Sequence, residues 1–286
     1  MGLFSSVAYT GCCYSIILMR KEFKSDLAKW YNGVKEHMRR TLKKTNFTLF
    51  KANALSTLKK LPDKSIDLLL TDPPYNLGNF MKERKTNLSK MRRNFFGAAG
   101  WDNLEYDDWV KDMDKFFHEI SRVMKVGSTA IIFMSILRVE TIVHLAEKYG
   151  FYYKTTGIWH KTNPMPRNMN LQFINSTEAW IYLVYKKRTG NFFNKGKVRH
   201  DFVETSLTPK NERSFGTHPT QKPLTLMTYF IELFTKEGDF VLDPFMGSGS
   251  TGVGAVRTKR QFIGSEINER YFDIASRRIS HEADDE

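Results

Sequence analysis

The chain has 286 residues, 41% of them hydrophobic, and its 44 Lys and Arg against 31 Asp and Glu give a formal net charge of +13. This hydrophobic content excludes a disordered tail, and the length suits one large domain or two small ones, because single cores stop growing at roughly 250 to 300 residues. The positive charge favours a polyanionic partner, nucleic acid or an anionic membrane surface, over an acidic small substrate.

The first 44 residues predict an N-terminal extension. Met1–Ser6 matches the myristoylation pattern and a mildly apolar stretch, Val7–Met19, follows it. No basic residue precedes this stretch, and it falls short of the roughly 20 residues that span a bilayer, so we predict a partly disordered segment without a membrane role. Met19 is an alternative start of the chain. Arg20–Lys44 is basic with helix-like apolar spacing, which predicts an amphipathic helix that either packs on the domain or touches phosphates.

From residue 45 onward, short apolar runs that predict strands alternate with amphipathic segments that predict helices. The predicted strands are Asn46–Lys51, Ser65–Leu70, Ser128–Phe133, Tyr152–His160, Ala179–Tyr185, Phe240–Leu242 and Phe262–Ser265. The predicted helices are Asn53–Lys60, Trp109–Met124, Arg138–Tyr149, Leu224–Phe234, Ser250–Arg257 and Tyr271–Ser280. The alternation predicts an α/β fold, with a mostly parallel twisted sheet that carries helices on both faces.

The cysteines and histidines give no sign of a metal or a disulfide framework. Cys12 and Cys13 are adjacent, which provides no CxxC spacing and indicates a reducing compartment. The histidines fall into neither an HExxH motif nor a Cys/His cluster. We therefore expect no bound metal and a cytoplasmic location.

A glycine turn follows the predicted strand at Phe240 and opens the next helix. Gly247, Gly249 and Gly252 satisfy GxGxxG, and Glu266 follows the next strand, where a ribose-binding carboxylate belongs. Such glycines let the backbone approach a nucleotide-type ligand closely. On this motif alone, a dinucleotide-dependent oxidoreductase and a tight turn without a ligand both remain open.

The tetrapeptide Asp72-Pro73-Pro74-Tyr75 ends an earlier predicted strand. The two prolines fix φ and lack N–H groups, so the turn is stiff and leaves backbone carbonyls free to accept hydrogen bonds. With the Asp72 carboxylate and the flat Tyr75 ring, the turn can hold an amino group on a planar base. Taken alone, the tetrapeptide is also compatible with a structural turn that ends a strand.

Together, these two motifs resemble those of the DNA amino-methyltransferases, which transfer a methyl group from S-adenosylmethionine to adenine N6 or cytosine N4. The D-P-P-Y motif comes first and Phe245–Gly249 last, which resembles the β-class order. Two further segments resemble that class, His218–Pro223 (HPTQKP) and Lys161–Asn168 (KTNPMPRN). The resemblance covers about Thr48 to Ile279. The absence of GxxxxGK[ST] leaves an ATP-type use of the glycine turn unsupported.

The resemblance implies a single Rossmann-like methyltransferase domain over residues 45–286. Its catalytic half would be 45–185, a variable DNA-recognition segment 186–216, and the cofactor-binding half 217–280. The implied catalytic residues are Asp72, Pro73, Pro74 and Tyr75. The implied S-adenosylmethionine-binding residues are Asp243, Phe245, Gly247, Gly249, Thr251, Glu266, His218, Thr220, Gln221 and Lys222. By the same resemblance, Asp243 would lie near the cofactor amine and Glu266 would hold the ribose. Thr220, Gln221 and Lys222 would close over the cofactor.

Two basic segments, Lys82–Arg93 and Lys186–Arg213, are candidates for contacts with DNA phosphates. Charge runs are usually only solvated surfaces, but in a DNA enzyme phosphate contacts are the better interpretation. The predicted DNA-binding residues are Arg84, Arg92, Arg93, Asn163, Arg167, Lys195, Lys197 and Arg199. The expected partner is double-stranded DNA with a flipped base. Single-stranded DNA and a homodimer are further candidates, and no membrane is expected.

The tetrapeptide also bears on the choice of base, because its Asp form is associated mostly with adenine N6 and its Ser form with cytosine N4. The favoured function is therefore a site-specific adenine-N6 DNA methyltransferase, of a restriction-modification system or solitary. Three alternatives stay open: a cytosine-N4 DNA methyltransferase, an NAD-dependent oxidoreductase that uses the glycine turn, and a non-catalytic nucleic-acid-binding module.

Overall fold

The structure is a computed structural model that describes residues 41–44, 46–76, 104–166, 170 and 173–284. Its strands are β1 (Thr41–Lys44), β2 (Phe47–Phe50), β3 (Ile66–Thr71), β4 (Met124–Met134), β5 (Phe151–Lys161), β6 (Thr177–Tyr185), β7 (Phe202–Thr205), β8 (Phe240–Asp243) and β9 (Gln261–Ser265). Its helices are α1 (Ala54–Leu58), α2 (Tyr106–Val123), α3 (Val139–Lys148), α4 (Leu224–Phe234), α5 (Ser250–Arg257) and α6 (Glu269–Asp284), with 3-10 turns at Ile136–Arg138 and Lys210–Arg213. Every strand and helix predicted from residue 45 onward is confirmed, with ends shifted by a few residues.

The described strands form one sheet in the order β1-β2-β9-β8-β3-β4-β6-β5-β7. Neighbouring strands from β2 to β4 in this order are parallel, as are β5 and β7. Strand β1 is antiparallel to β2, and β6 is antiparallel to both β4 and β5. The predicted mostly parallel α/β sheet is therefore confirmed, and β1 and β6 make it mixed.

The sheet has a topological switch point between β3 and β8, which pair in parallel through Leu68 with Val241 and Leu69 with Leu242. After β3 the chain continues to β4 on one side, whereas after β8 it continues to β9 on the other side. In open α/β sheets, ligands bind outside the carboxyl ends of the strands at such a point. The fold thus opens a crevice where the two predicted motifs begin.

The core lies on both faces of the sheet. Leu68 and Ile131 belong to a buried cluster with Phe230 of α4 and other residues of α4, α5 and α6. Because successive strand residues point to opposite faces, the equally buried Leu69 and Ile132 face the other side, where α2 and α3 lie. The predicted helices on both faces are confirmed.

Helix α2 shows how the sequence determines this packing. Its buried residues recur every three or four positions, with acidic residues in the first turn and Arg122 in the last, which suits the helix dipole. Phe117 packs against Phe151 of β5 with ring centroids 6.0 Å apart, and Trp109 is fully buried. Fully burying an aromatic side chain stabilises a fold by roughly 1.5 to 3 kcal/mol.

Two segments differ from the predictions. The end of the predicted basic helix, residues 41–44, is strand β1, with Thr41 opposite Phe50 and Lys44 opposite Phe47. The reason is that β2 would otherwise offer an unpaired edge, which β1 fills with ladder hydrogen bonds that a helix cannot make. Strand β7, inside the predicted recognition segment, was not predicted because its four residues are at most half-buried and form no apolar run.

The rest of the predicted extension, residues 1–40, and the basic segment 82–93 lie outside the described residues. The predicted division into catalytic, recognition and cofactor-binding parts stays a prediction. Within the described ranges, no helix is long and apolar enough to cross a membrane. The same ranges contain no group of three or more His, Cys, Asp or Glu residues that could hold a metal ion.

Candidate active site

A cavity of about 500 Å³ opens at the carboxyl ends of β3 and β8. Its wall contains the whole tetrapeptide Asp72–Tyr75, most of the glycine turn, and the segment His218–Lys222. All the predicted catalytic and cofactor-binding residues line it except Gly249. Gly249 instead precedes α5 with φ of 80°, and its N–H donates to the Met246 carbonyl at 2.7 Å. The fold therefore brings both sequence motifs to one cavity.

The tetrapeptide turn is fixed by side chains on both sides. Trp109 Nε1 donates to the Pro74 carbonyl at 3.3 Å. The Tyr75 hydroxyl donates to Asp72 Oδ1 at 2.6 Å and lies 3.4 Å from Glu178 Oε2. Burial, together with the charges of Asp72 and Glu178, raises the pKa of Tyr75 well above its ordinary value of 10.0. The hydroxyl is therefore a permanent donor that orients the Asp72 carboxylate.

A buried charge network continues from Asp72 into the cavity wall. Lys222 Nζ donates to Asp72 Oδ2 and lies 3.1 Å from Glu178 Oε2, while Lys161 Nζ lies 2.7 Å from Glu178 Oε1. Burial lowers the pKa of Lys222, but the charges of Asp72 and Glu178 outweigh it and raise that pKa above its usual value. Burial raises the pKa of Glu178, but the two lysines outweigh it and lower that pKa. Lys222 and Glu178 are thus charged at neutral pH.

Asp243 ends β8 next to the tetrapeptide and is almost completely buried. Its Oδ1 accepts from the Thr71 hydroxyl at 2.8 Å and the Phe245 N–H at 3.1 Å, and its Oδ2 accepts from the Thr251 hydroxyl at 2.7 Å. Burial raises the pKa of Asp243 to about 7, with a further contribution from the Asp72 charge, and the three hydrogen bonds act in the opposite direction. Asp243 is therefore a carboxyl group that titrates near neutral pH.

The glycine turn places Glu266 next to a backbone segment in the left-handed conformation that glycine adopts readily. Gly247 has φ of 52°, and its N–H donates to Glu266 Oε2 at 3.1 Å, while the Asn268 N–H donates to Oε1 at 2.7 Å. A Cβ at position 247 would lie 3.2 Å from His218 Nε2. Burial raises the pKa of Glu266, and these backbone donors partly oppose it. The turn thus lets a ligand approach the backbone closely, and the Glu266 carboxylate lies beside it.

His218 forms the other side of this turn. Its ring meets the Tyr271 ring edge-on, with centroids 4.3 Å apart. Burial and the nearby charges of Lys222 and Arg278 lower the pKa of His218 to about 4. The imidazole is therefore neutral at physiological pH, and His218 serves as a flat, uncharged wall.

A protein-family model described as DNA methylase matches residues 66–277. The chain belongs to this family of DNA methylases. Among curated relatives, the Type II methyltransferase M2.LlaDCHI of Lactococcus lactis subsp. cremoris is 32% identical over 248 residues, covering 83% of this chain and 90% of the relative. The Type II methyltransferase M2.DpnII of Streptococcus pneumoniae is 31% identical over 249 residues, covering 84% and 91%.

Solved structures agree with this assignment. M1.HpyAVI, crystallised as a complex with S-adenosylmethionine (SAM), is 27% identical, with a TM-score of 0.59 over 81% of the methylase and 99% of the neighbour. The cytosine-N4-specific PvuII DNA methyltransferase is 18% identical, with a TM-score of 0.66 over 85% and 93% of the two chains, and shares the fold.

Four of the predicted DNA-binding residues of the methylase are among the described residues, and these four do not line the cavity: Asn163, Lys195, Lys197 and Arg199. Lys195, Lys197 and Arg199 are exposed on the segment before β7. Asn163 Oδ1 accepts from the Leu207 N–H at 2.6 Å and so ties two loops together. The other predicted contacts fall outside the described residues: Arg84, Arg92, Arg93 and Arg167.

Several site residues of the methylase were not among those predicted. Glu178 and Lys161 complete the charge network, Thr71 binds Asp243, and Arg278 of α6 donates to the Ser248 carbonyl at 2.6 Å and supports the glycine turn. Lys161 belongs to the KTNPMPRN segment, but its role could not be inferred from that. The signal for Glu178 is an acidic residue at the edge of an apolar strand, which is weak evidence by itself.

Proposed function

We propose that this methylase transfers the methyl group of S-adenosylmethionine to the N6 amine of an adenine in DNA. The observation that carries the proposal is that the tetrapeptide Asp72–Tyr75 and the glycine turn share one cavity. The Thr71 to Asp243 hydrogen bond of 2.8 Å joins the strand ends that bear them. An amine-binding turn and a nucleotide-type turn side by side suit a transfer between a cofactor and a base.

The residues of the cavity fit the cofactor. Gly247 allows close backbone approach, Asp243 offers a carboxyl group for a cationic amine, and Glu266 offers oxygens for ribose hydroxyls. Gln221 lines the same cavity, and its Oε1 is buried without a hydrogen-bond partner in the described part of the chain. Bound there, S-adenosylmethionine supplies an electrophilic methyl group on a sulfonium. The relative M1.HpyAVI, which was crystallised with this cofactor, supports the assignment.

Asp72 and Pro73 can prepare the amine for attack. The lone pair of an adenine amine is delocalised into the ring, so the amine is a poor nucleophile. The enzyme must draw the amine nitrogen toward tetrahedral geometry before it can attack. The Asp72 carboxylate and the Pro73 carbonyl can each accept one N6 hydrogen, which frees the lone pair for in-line attack on the methyl carbon. The N–C bond would form as the carbon–sulfur bond breaks, and the sulfur would leave as the neutral thioether of S-adenosylhomocysteine. Fixed acceptors in a cavity shielded from water act on the charge that develops. The amine loses its proton after transfer, so Asp72 need not act as a strong base.

The DNA must present the base outside the helix. The N6 atom cannot reach a cavity of this kind from within a duplex, which supports base flipping with the Tyr75 ring beside the base. Exposed basic residues such as Lys195 and Lys197 would contact the DNA phosphates. A DNA substrate supports a cytoplasmic location.

The choice of adenine rests on Asp72 as the first residue of the tetrapeptide. Relatives named as Type II methyltransferases support a modification enzyme of a restriction-modification system. The PvuII neighbour, named as cytosine-N4-specific, has the same fold, so the fold does not choose the base. In a non-catalytic module or an NAD-dependent oxidoreductase, the paired amine and cofactor sites would have no function.

Transfer of a tritiated methyl group to DNA, followed by mass spectrometry of the nucleosides, tests the proposal. We expect N6-methyladenine; N4-methylcytosine as the sole product would refute the base, and NAD binding without transfer would refute the reaction. Asp72→Ala should abolish transfer while S-adenosylmethionine still binds. The matched control Asp108→Ala removes an exposed carboxylate that pairs with Lys111 on α2, and it should retain transfer.

A further inference from the structure

Lys222 lies between two carboxylates that belong to different strands. Asp72 follows β3, and Glu178 lies near the start of β6. All three side chains line the cavity, and Lys222 is only 6% exposed. The HPTQKP segment that contains Lys222 therefore directs its ammonium group at the catalytic turn, whereas the sequence predicted that Lys222 closes over the cofactor.

The surroundings hold this ammonium group in place. It lies 5.1 Å from the centre of the Phe133 ring and 6.0 Å from that of Trp159. Glu178 also binds Lys161 at 2.7 Å, which fixes the carboxylate from its other side. A buried charge without a partner costs several kcal/mol, so each member of this network holds the next one in place.

We propose that Lys222 is a positioning residue that holds Asp72 as an anionic, oriented acceptor for the target amine, and that Glu178 holds Lys222 in place. This inference rests on the proposed function. Tyr75 and Lys222 occupy one site on each oxygen of the Asp72 carboxylate. A carboxylate oxygen accepts about two hydrogen bonds, so each oxygen retains a site for the amine.

The ammonium group also compensates the negative charge around Asp72. The charged and titratable groups near Asp72 are the Tyr75 hydroxyl, Lys222, and the carboxyl groups of Glu178 and Asp243, with His218 beyond Lys222. Lys222 contacts both Asp72 and Glu178, so its charge offsets the repulsion between these two carboxylates. Without the ammonium group, this repulsion would push the Asp72 carboxylate away from the position in which it accepts a hydrogen from the amine.

The variant Lys222→Met tests the proposal, because it keeps the apolar stem and removes the charge. With saturating cofactor, we expect the single-turnover rate of methyl transfer to fall roughly 100-fold, as for a misplaced catalytic group. The dissociation constant of S-adenosylmethionine, measured by calorimetry, should stay within about twofold of the wild-type value. Lys222→Arg, which keeps a cation against Asp72, should restore most of the lost rate.

Two further variants complete the design. Glu178→Gln should lose activity in the same direction by a smaller factor, about tenfold, since Lys222 keeps one of its two partners. The matched control Lys125→Met removes a Lys–Asp pair with Asp67, 2.6 Å long, away from the cavity, and should keep the wild-type rate. Thermal melting of each variant reports whether it folds.

The outcomes separate the proposals. Weaker cofactor binding with an unchanged rate at saturation would overturn the inference and assign Lys222 to the cofactor. A loss of rate that Lys222→Arg does not restore would overturn the inference in favour of a purely structural role. A wild-type rate of Glu178→Gln would overturn the part of the inference that concerns Glu178. If the wild-type protein methylates DNA and Lys222→Met does so equally well, the inference alone fails. If the wild-type protein transfers no methyl group to DNA, the proposed function itself fails.

Discussion

The buried carboxyl group of Asp243 predicts that cofactor binding depends on pH. Burial raises the pKa of Asp243 to about 7 in the free protein, so the group is partly protonated at neutral pH. If Asp243 holds the cationic amine of S-adenosylmethionine, only its ionised form attracts that amine. The bound cation then lowers the pKa of Asp243, and by linkage the affinity must fall as the pH drops below about 7.

The magnitude follows from the ionised fraction of Asp243. With a pKa of about 7, roughly half of the carboxyl groups are ionised at pH 7 and about one eleventh at pH 6, so the dissociation constant should rise about fivefold, or about 1 kcal/mol. Two other groups do not interfere in this range. The pKa of His218 is about 4, and an α-amino group keeps its proton below its ordinary pKa of about 7.7 to 8.0.

Calorimetric titration of the protein with S-adenosylmethionine at pH 6 and pH 7 measures this effect. Asp243→Asn keeps the shape of the side chain but cannot ionise, so it should bind more weakly and equally at both pH values. This variant also excludes Glu266, whose pKa burial raises as well. Equal wild-type affinity at pH 6 and pH 7, or a fivefold change that persists in Asp243→Asn, would refute the assignment of Asp243 to the amine.

Three further predictions follow from the same contacts. Because the pKa of Asp243 is raised on folding, its contribution to stability is lost as the pH rises through about 7. Between pH 6 and pH 8, urea denaturation of the cofactor-free proteins should show about 1.4 kcal/mol more loss of stability in the wild type than in Asp243→Asn; the opposing contribution of His218, whose pKa burial lowers to about 4, cancels in this comparison. Gly247→Ala should weaken cofactor binding measured by calorimetry, because Gly247 has φ of 52° and the new Cβ would lie 3.2 Å from His218 Nε2. In the control Gly238→Ala, the replaced glycine has φ of 80° and the new Cβ would meet no atom within 4 Å, so this variant should bind the cofactor normally. Lys197→Gln should weaken DNA binding and reduce the slope of log affinity against log salt by about 0.9, and an unchanged slope would show that Lys197 touches no phosphate.

The fold was predictable because its elements are long apolar runs. Leu224–Phe234 was predicted with its observed bounds, since its apolar residues and flanking Pro223 define both ends. The edge strand Phe202–Thr205 is short and lies in a basic segment, so no periodicity distinguished it. Thr41–Lys44 was predicted as helix from the charge and the apolar spacing of its own segment. Its strand conformation comes from pairing with Phe47–Phe50, which that local pattern does not reveal.

The site was predictable only where residues occur together in motifs. The resemblance predicted that the tetrapeptide holds the target base and that the glycine turn binds the cofactor, and parallel pairing of β3 and β8 brings the two motifs together. Glu178 belongs to no motif, and it reaches Lys222 and Tyr75 because β6 runs antiparallel and returns its first residues to the carboxyl edge of the sheet. The direction of Lys222 was not predictable, since a segment without regular structure does not fix where its side chains point.

The charge network also changes what the net charge of +13 can mean. Asp72 and Glu178 oppose Lys222 and Lys161, so the four formal charges of this network cancel. A network without net charge does not attract a phosphate group. The excess positive charge must therefore act outside this network, on exposed residues such as Lys197, where it can attract the DNA backbone along its length. Replacing exposed lysines should thus change the salt dependence of DNA binding, whereas replacing Lys222 should change the rate of methyl transfer.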